Sequence, residues 1–334
     1  MLKQHKTPSF VKKYGPVISK EIVPYPSVLT FNAGVARWNG KYILLFRNDY
    51  NFCKKDFDDF YAGIADNTMP KINIGMALSN DGINWKVTDA PVAGLQFPGI
   101  SYVYDPRITV MEDGSAILCF AASSNGTRGG IALTRDFEHF EIKSVSVPDN
   151  RNMVVFPEKI HGEYVRLERP FYCNDRNHSL WLSYSPDLVY WGKSELVLKS
   201  KDVPFSNLKI GPGAPPLRTS KGWLVLFHAV ETQEESFDAW QRNWIRCYYG
   251  GVMLLDLDNP AKIIAISGKP LLVPEEKYEL EGYRGGVIFP GGLVEEPDGT
   301  AKIYYGAADT VECLAEARID DMIDFCLENN IVQS

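Results

Sequence analysis

The chain has 334 residues, of which 45% are hydrophobic and 12% aromatic, and its formal net charge is −7. This is enough apolar material for a large buried core. The length exceeds that of one ordinary compact domain, so either two domains or a repeat architecture is expected. The negative charge and the lack of any basic run argue against a nucleic-acid partner.

The cysteines and the N-terminus bear on the cellular compartment. No CxxC pair occurs, so neither a zinc spacing nor a disulfide framework is indicated, and a reducing compartment fits best. The basic segment 1–15 lacks the apolar core of a signal peptide, and no apolar stretch is long enough to span a bilayer. These features predict a soluble, cytoplasmic protein without a metal. The cysteines are Cys53, Cys119, Cys173, Cys247, Cys313 and Cys326.

One pattern occurs five times along the chain. A polar residue plus glycine separates two alternating or apolar runs, in 36–47, 110–121, 159–169, 217–228 and 294–306. Asn-Gly and Asp-Gly are the strongest hairpin signals, because the tight turn needs a positive φ. The His-Gly and Lys-Gly versions are weaker but fall in the same context. The predicted turn glycines are Gly40, Gly114, Gly162, Gly222 and Gly299.

A second pattern alternates with these hairpins. The segments 75–85, 130–140 and 180–191 each indicate a strand, an Asp turn and an aromatic residue, and 249–264 is a looser copy. The Asp side chain can close an Asx-turn. A hairpin with such a strand pair makes a four-stranded unit. Five units predict an all-β fold, a five-bladed β-propeller, as one domain over 1–334.

Two segments fall outside this repeat. The charged insertion 231–247 predicts a surface helix or lid. Apolar residues at helical spacing predict a C-terminal helix over about 314–329.

Polar residues collect where the first strand of a hairpin begins and the second ends. These two positions lie at the same end of a hairpin, so around a ring they should meet at one mouth of the central channel. Residues that enter first strands are Asn32, Asp105, Arg151, Asn152, Lys209 and Arg284. Residues that leave second strands are Arg47, Arg169, His228 and Asp309.

Each of these residues has an ordinary structural explanation. A lone Arg at a strand end is usually a surface residue, Asp105 before a proline can begin a turn, and a lone His is usually a core residue. Four or five cations together would repel one another without an anion. Aromatic residues flank them, as in a sugar-stacking pocket, which predicts a site for an anion beside a polyol. These aromatic residues are Tyr104, Tyr248, Tyr249, Tyr283 and Phe289, and Tyr249 is taken as sugar-binding.

The number of carboxylates decides which chemistry such a site can perform. Glycosidases that use water normally need two carboxylates across the scissile bond. A phosphorylase needs only an acid, because phosphate is already a nucleophile, together with a cationic cradle. One carboxyl, Asp105, among many cations favours phosphorolysis. A hydrolase that pairs Asp105 with Asp309 or Glu281, and a non-catalytic carbohydrate-binding propeller, remain alternatives.

Several stretches together resemble glycoside hydrolase family 130, the β-mannoside phosphorylases. They are YDPR (104–107), DNRN with FPEKIHGEY (150–164), NLKIGPG (207–213), LLDLDNP (254–260) and YYGAADT (304–310), in that order. The resemblance implies a five-bladed propeller and an inverting reaction of a β-mannoside with inorganic phosphate, which gives α-mannose 1-phosphate. Phosphate is then a co-substrate, and no cofactor is implied.

The resemblance also implies roles for single residues. Asp105 corresponds to the catalytic acid, whose proton passes through the 3-hydroxyl of the bound mannose. The phosphate stretches carry Arg151, Asn152, Lys209 and His228, with Arg169 as an additional ligand. The stretches that hold the mannosyl unit carry Asn32, Arg47, Tyr104 and Asp309.

Three departures from the family pattern leave the leaving-group sugar open. The stretch 45–70 is longer than in the shorter members, Glu168 stands where an Asn is expected, and 231–247 is unusual. Glucose, N-acetylglucosamine and mannose all remain open as leaving groups, with a β-1,4 or β-1,2 bond. The N-terminal segment and 231–247 are candidate contact surfaces of a homo-oligomer.

Overall fold

A computed structural model describes residues 5–53, 55, 71–171, 178–233 and 246–332. Strands dominate this part of the chain and form four sheets. The predicted all-β class is therefore confirmed. Within these ranges, no helix has the length and apolar character needed to cross a bilayer.

The first five strands hold the N-terminal part of the chain. They are β1 (Lys12–Ile18), β2 (Leu29–Trp38), β3 (Lys41–Tyr50), β4 (Lys71–Ser79) and β5 (Lys86–Val87). Strands β2, β3, β4 and β5 are neighbours in antiparallel order. A short 3-10 helix, Lys20–Ile22, follows β1.

The next two sheets have four antiparallel strands each, in simple chain order. One contains β6 (Tyr102–Val110), β7 (Ala116–Ser123), β8 (Thr127–Thr134) and β9 (Glu141–Val145). The other contains β10 (Asn150–Val155), β11 (Tyr164–Pro170), β12 (Leu180–Ser185) and β13 (Gly192–Leu198).

The fourth sheet has an interrupted inner strand. Its members are β14 (Lys209–Pro212), β15 (Leu217–Thr219), β16 (Gly222–Thr232), β17 (Arg246–Leu255) and β18 (Ile263–Ile266). Both β14 and β15 pair with β16, and the segment 213–216 separates them. This segment, GAPP, ends in two prolines, which lack the N–H that a continuous ladder requires. The 3-10 helix Ser200–Asp202 precedes this sheet.

The C-terminal strands return to the first sheet. They are β19 (Ile288–Glu295), β20 (Thr300–Ala307) and β21 (Val311–Arg318), with the helical turn α1 (Lys277–Leu280) before them and the helix α2 (Ile319–Glu328) after them. The eight-stranded order is β1-β21-β20-β19-β2-β3-β4-β5. Its two halves join through one parallel pair, Gly292 with Val35.

The predicted turns are all present. The five turn glycines have φ between 75° and 139°. The four predicted Asp turns are Asx-turns, in which each Asp Oδ1 accepts two backbone N–H groups at 2.8–3.0 Å. At Asp81 the side-chain hydrogen bond from Asn84, followed by these backbone bonds, lowers the pKa, and at the other three carboxyls the backbone bonds are the largest cause of a lowered pKa. The four residues are Asp81, Asp136, Asp187 and Asp256.

Five apolar clusters link the strand groups in series. One lies between β2–β5 and β6–β9, the next between β6–β9 and β10–β13, and the third between β10–β13 and β14–β18. A fourth joins β14–β18 to β19–β21 and includes α2. The fifth lies between β19–β21 and β2–β5, within the eight-stranded sheet. The series therefore closes on itself.

The C-terminal helix is shorter than the sequence predicted. It covers Ile319–Glu328, whereas 314–318 belong to β21. Strand β21 pairs with β20 on one side and β1 on the other, so pairing on both edges decides the conformation of this stretch. Most of the insertion 231–247 lies outside the described residues, so the predicted surface helix there is not described. The same holds for most of 50–70.

Candidate functional site

Three strands, β2, β6 and β10, each contain a register shift near the centre of the molecule. Their register shifts lie between Phe31 and Gly34, between Tyr104 and Arg107, and between Arg151 and Val154. One residue in each shift has a positive φ. These residues are Asn32 (54°), Asp105 (51°) and Asn152 (55°). Asn and Asp tolerate this left-handed conformation better than other side chains, and bulges re-aim side chains next to active sites.

Two of these bulged residues contact each other across neighbouring strand groups. Asn32 Nδ2 donates to Asp105 Oδ1 at 3.0 Å. Arg47 NH1 lies 3.8 Å from the same oxygen, and Asp49 holds the guanidinium by two bonds of 2.7 and 2.6 Å. Burial acts to lower the pKa of Arg47, but the carboxylates of Asp49 and Asp105 raise it overall. Arg47 is therefore a fixed cation beside Asp105.

Arg107 joins the strands beneath Asp105. It is buried and donates to four backbone carbonyls, at 2.7–3.3 Å. These carbonyls belong to β2, β6, β19 and the segment after β14. Arg107 therefore connects four separate parts of the chain. The accepting residues are Asn32, Pro106, Gly213 and Pro290. Arg107 belongs to the motif YDPR, but no role was predicted for it from the sequence.

A buried glutamate holds the bulge at Asn32 from the other side. Glu312, on β21, is fully buried, and its Oε2 accepts the backbone N–H of Ala33 at 2.9 Å. Its Oε1 has no hydrogen-bond partner among the described residues. Burial raises the pKa of Glu312 to about 8, against the opposing effects of the Ala33 N–H and Arg107. Burial therefore favours the protonated form of this carboxyl.

A cluster of cations forms on the β10–β18 side of the centre. Arg169 NH1 donates to His228 Nε2 at 2.8 Å. Because a guanidinium cannot accept, this nitrogen carries no proton, and His228 is neutral. Burial, followed by repulsion from Arg169 and Lys209, lowers the pKa of His228 well below its usual value.

The same repulsion acts on the other members of this cluster. Burial and Arg151 lower the pKa of Arg169 to about 9. Burial lowers the pKa of Lys209 well below its usual value, and Arg169, Arg151 and Arg246 add to the effect. Arg246, the first residue of β17, is a buried member that the sequence analysis missed. Its place at a strand end beside the insertion was the available signal.

Aromatic rings line this cationic cluster. Arg151 and Arg169 lie 5.1 and 5.0 Å from the ring of Phe171. Tyr248 lies 5.3 Å from Lys209 Nζ and is stacked on the His228 ring at 6.2 Å.

Tyr249, predicted as sugar-binding, lies elsewhere. Adjacent residues on a strand point to opposite faces, so Tyr248 faces the cluster and Tyr249 faces away from it. Its ring contacts Phe205 and His5 in the core between β10–β13 and β14–β18. The structure therefore does not bring Tyr249 to the cationic cluster, whereas its neighbour Tyr248 lies there.

The second candidate carboxyl, Asp309, lies near the same cations as Asp105. Burial raises its pKa to about 6, although Arg47 and Arg284 oppose the shift. Glu281, the other acid considered from the sequence, is exposed and lies 3.8 Å from Lys277 on α1. Its side chain therefore lies on the surface.

Several buried polar atoms at the centre lack partners within the described part of the chain. They are Asn32 Oδ1, Arg151 Nε, Asn152 Oδ1, Arg169 Nε and His228 Nδ1. Neither Arg151 nor Arg169 forms an ion pair with a described carboxylate. Buried polar groups normally find partners, so this arrangement indicates a polar ligand with negative charge.

These features define an all-β protein with a central site that combines buried carboxyl groups, a cationic cluster and amide groups. The family model described as beta-1,4-mannooligosaccharide phosphorylase matches residues 6–328. The chain therefore belongs to glycoside hydrolase family 130.

Known proteins resemble the chain over most of its length. It is 29% identical to the beta-1,2-mannobiose phosphorylase of Listeria innocua, over 88% of this chain and 90% of that protein. It is 32% identical to the beta-1,4-mannooligosaccharide phosphorylase of Ruminococcus albus, over 81% and 82% respectively. A solved Listeria innocua beta-1,2-mannobiose phosphorylase, in complex with beta-1,2-mannobiose, superposes with a TM-score of 0.79 at 25% identity, covering 95% of this chain and 99% of that one.

Proposed function

We propose that this protein is an inverting glycoside phosphorylase that cleaves a β-mannoside with inorganic phosphate. A phosphate oxygen forms a bond to the anomeric carbon while the bond to the leaving sugar breaks. The products are α-mannose 1-phosphate and a sugar shortened by one mannose. The family and the names of the similar proteins support this reaction.

One observation carries the proposal. Arg169 is buried and Arg151 is half-buried, neither forms an ion pair with a described carboxylate, and both lie next to Lys209 and the neutral His228. A hydrolase has no use for such a cluster, whereas a phosphate dianion would neutralise it and satisfy its donors.

Asp105 is the proposed acid. Because Asn32 Nδ2 donates to Asp105 Oδ1, the transferable proton belongs on Oδ2. In the proposed reaction this proton passes to the 3-hydroxyl of mannose, which gives its own proton to the leaving oxygen. Arg47 stabilises the carboxylate that remains, since its guanidinium lies 3.8 Å away.

The cationic cluster is the proposed phosphate site. Arg151, Arg169 and Lys209 would supply charge, and Asn152 would supply an amide. His228 accepts from Arg169 at Nε2, so its proton is on Nδ1, which has no partner among the described residues. This N–H is suited to a phosphate oxygen.

The proposed mannose site uses the opposite side of Asp105. Asn32, Arg47, Tyr104 and Asp309 carry amide, guanidinium, hydroxyl and carboxyl groups that suit sugar hydroxyls. The Tyr104 ring lies 5.2 Å from the Arg47 guanidinium, and Arg151 NH1 approaches its hydroxyl at 3.5 Å. Tyr104 therefore contacts one residue of each proposed site, Arg47 of the mannose site and Arg151 of the phosphate site.

We also infer that the chain is a single five-bladed β-propeller. The eight-stranded sheet would count as two blades, because a single parallel pair joins its halves. The five apolar clusters that link the strand groups in a closed series support this count. A cytoplasmic location is proposed from the cysteine pattern, and phosphate is the only co-reactant that the mechanism needs.

The hydrolase alternative rests on Asp309. A carboxyl with a pKa near 6 could serve as a base, but Arg47 and Arg284 beside it are also what a sugar-binding carboxylate would need. The other alternative is a propeller that binds carbohydrate without catalysis. It is less favoured, because it gives the acid at Asp105 no role.

The test is the reverse reaction. The protein is incubated with α-mannose 1-phosphate and a panel of acceptor sugars, and phosphate release is followed. Acceptor-dependent release is expected, and the active acceptors identify the leaving group. Release of mannose from β-mannosides in phosphate-free buffer, with no reverse reaction, would instead establish the hydrolase.

A further inference from the structure

A cavity opens between β4 and the segment that leads into β6. Its volume is about 500 Å³, within the range of small-ligand pockets. We call it the outer groove and define it by residues 72–74, Val92 and 95–103. It is separate from the cationic cluster, which lies on β10, β11, β14 and β16.

The lining of the outer groove suits a neutral polyol. Its floor is apolar, because Ile74, Leu95 and Val103 are buried members of one core cluster. Half-buried aromatic rings stand along it, at Phe97 and Tyr102. The described lining includes no Asp, Glu, Lys, Arg or His, in contrast to the central site. The polar groups are the side chains of Asn73, Gln96 and Ser101.

One polar group of the groove is held in a fixed orientation. Asn48 is fully buried, and its Nδ2 donates to Asn73 Oδ1 at 3.0 Å and to Pro26 O at 3.1 Å. The carbonyl of Asn73 is thus occupied, and its Nδ2 group remains as a donor for a ligand hydroxyl. A pre-oriented donor loses little entropy when it binds.

Aromatic residues connect the groove to the central site. Tyr102 lines the groove, and its ring lies 5.9 Å from that of Tyr104. Tyr104 in turn contacts Arg47 and Arg151. A chain of sugars that leaves the centre past Tyr104 would therefore reach Tyr102 next.

The geometry of the displacement also places the leaving group on the side of the outer groove. An inverting displacement places the nucleophile and the leaving group on opposite faces of the anomeric carbon. The proposed phosphate ligands lie on β10, β11, β14 and β16, so the leaving group points toward β2, β4 and β6. The outer groove lies on β4 and at the start of β6.

From these observations we propose that the outer groove binds the sugar units of the leaving group beyond the first. This inference rests on the proposed phosphorolysis. It assigns Asn73, Gln96, Phe97 and Tyr102 to recognition of a neutral oligosaccharide. The preferred substrate then has at least three sugars, and the preferred acceptor in the reverse reaction has at least two.

The experiment measures how the reverse reaction depends on acceptor length. Mannose, mannobiose and mannotriose, in β-1,4 and β-1,2 series, are offered with α-mannose 1-phosphate. For the wild type, kcat/KM should rise about tenfold or more from the monosaccharide to the longer acceptors, which corresponds to about 1.4 kcal/mol of added binding. The double variant Gln96→Ala/Phe97→Leu should lose most of this rise. It keeps an apolar side chain against Phe120, which the Phe97 ring contacts.

The matched control is Tyr190→Leu, an aromatic residue that is 75% exposed and outside the groove. This variant should keep the length dependence of the wild type. If kcat/KM still rises with acceptor length in the double variant, the assignment of the groove is overturned. A wild type that turns over every acceptor equally well would overturn it too, while leaving phosphorolysis intact.

A protein that releases no phosphate with any acceptor would contradict the proposed function instead. The groove is then tested by calorimetry with β-mannotriose, which needs no turnover. Weaker binding to the double variant than to Tyr190→Leu would support the groove, and equal binding would reject it.

Discussion

Asp105 combines an unusual backbone conformation with a proposed role as the acid, and two substitutions can test these separately. Its φ of 51° is tolerated by Asp and Asn but strains most other residues. Asp105→Asn keeps this conformation and can still accept a hydrogen bond from Asn32, but it has no acidic proton. We expect turnover to fall by about 10²–10⁴-fold while the unfolding temperature stays near that of the wild type. Reverse-reaction rates and thermal melts measure the two effects.

Asp105→Ala separates the backbone from the chemistry. It removes the acid as well but adds strain of about 1 kcal/mol or more at a positive φ. This variant should therefore be both inactive and less stable. Wild-type activity in Asp105→Asn would remove the residue from the mechanism.

Glu312 allows a prediction about stability and pH. Its pKa is about 8 in the folded protein against 4.5 for an ordinary glutamate, so folding favours the protonated form. The contribution of the protonated Glu312 carboxyl to the free energy of unfolding is complete below pH 4.5 and is lost as the pH rises through 8. In Glu312→Gln the side chain stays neutral, so this loss should be absent. The free energy of unfolding of the wild type should fall relative to the variant, by at most about 1.4 kcal/mol per pH unit.

Urea unfolding between pH 5 and 9, in buffers without phosphate, measures this difference. Asp309, whose pKa is about 6, contributes the same pH dependence to both proteins and cancels. The control is Glu328→Gln, an exposed position on α2, which should run parallel to the wild type. Parallel curves for Glu312→Gln as well would mean that the buried carboxyl is not held neutral.

At the scale of elements, three strand pairs use the same packing device. Phe46, Phe120 and Phe227 on second strands lie opposite Gly75, Gly130 and Gly251 on third strands. At each glycine, an added Cβ would fall within the facing ring. The ring therefore occupies the space that any other side chain would need.

Gly130→Ala tests this packing. The new methyl group collides with the Phe120 ring, so we expect a loss of about 1–3 kcal/mol in the free energy of unfolding. Gly192→Ala is the control, because no heavy atom lies within 4 Å of its Cβ position and its φ is not positive. Urea unfolding compares the two variants. Equal stabilities would show that Phe120 moves aside at little cost.

The sequence predicted some elements well because their signals are local. Turn glycines and Asx-turns depend on a few adjacent residues, and all the predicted ones are present. The bulges at Asn32, Asp105 and Asn152 depend on contacts between distant strands, so the sequence showed the residues but not their conformation. Residues 314–318 form a strand instead of a helix because two neighbouring strands pair with them.

The candidate site was predictable to a similar extent. The hairpin pattern predicted that Arg169 and His228 lie at the same end of their hairpins, and their side chains lie 2.8 Å apart. The sequence could not show which of Tyr248 and Tyr249 faces the site. Adjacent residues of a strand point to opposite faces, and nothing in this strand indicated which face lies toward the centre. Glu312 was missed because a single glutamate in an apolar strand has no motif.

At the scale of the whole molecule, the proposed phosphate site should couple the binding of an anion to stability. Burial and mutual repulsion lower the pKa values of Arg169, Lys209 and His228 together. Phosphate should therefore stabilise the protein by mass action, by about 2.7 kcal/mol at one hundred times its dissociation constant. Chloride at the same ionic strength should have little effect.

Lys209→Met tests whether this stabilisation comes from the proposed site. The variant keeps most of the side-chain volume and removes one cationic group from the proposed phosphate site. In phosphate the wild type should gain more, because the variant binds the anion less tightly. Lys193→Met, at a side chain that is 67% exposed, is the control and should show the full phosphate shift. Thermal melts across a phosphate titration measure all three proteins, and an undiminished shift in Lys209→Met would place the stabilising anion elsewhere.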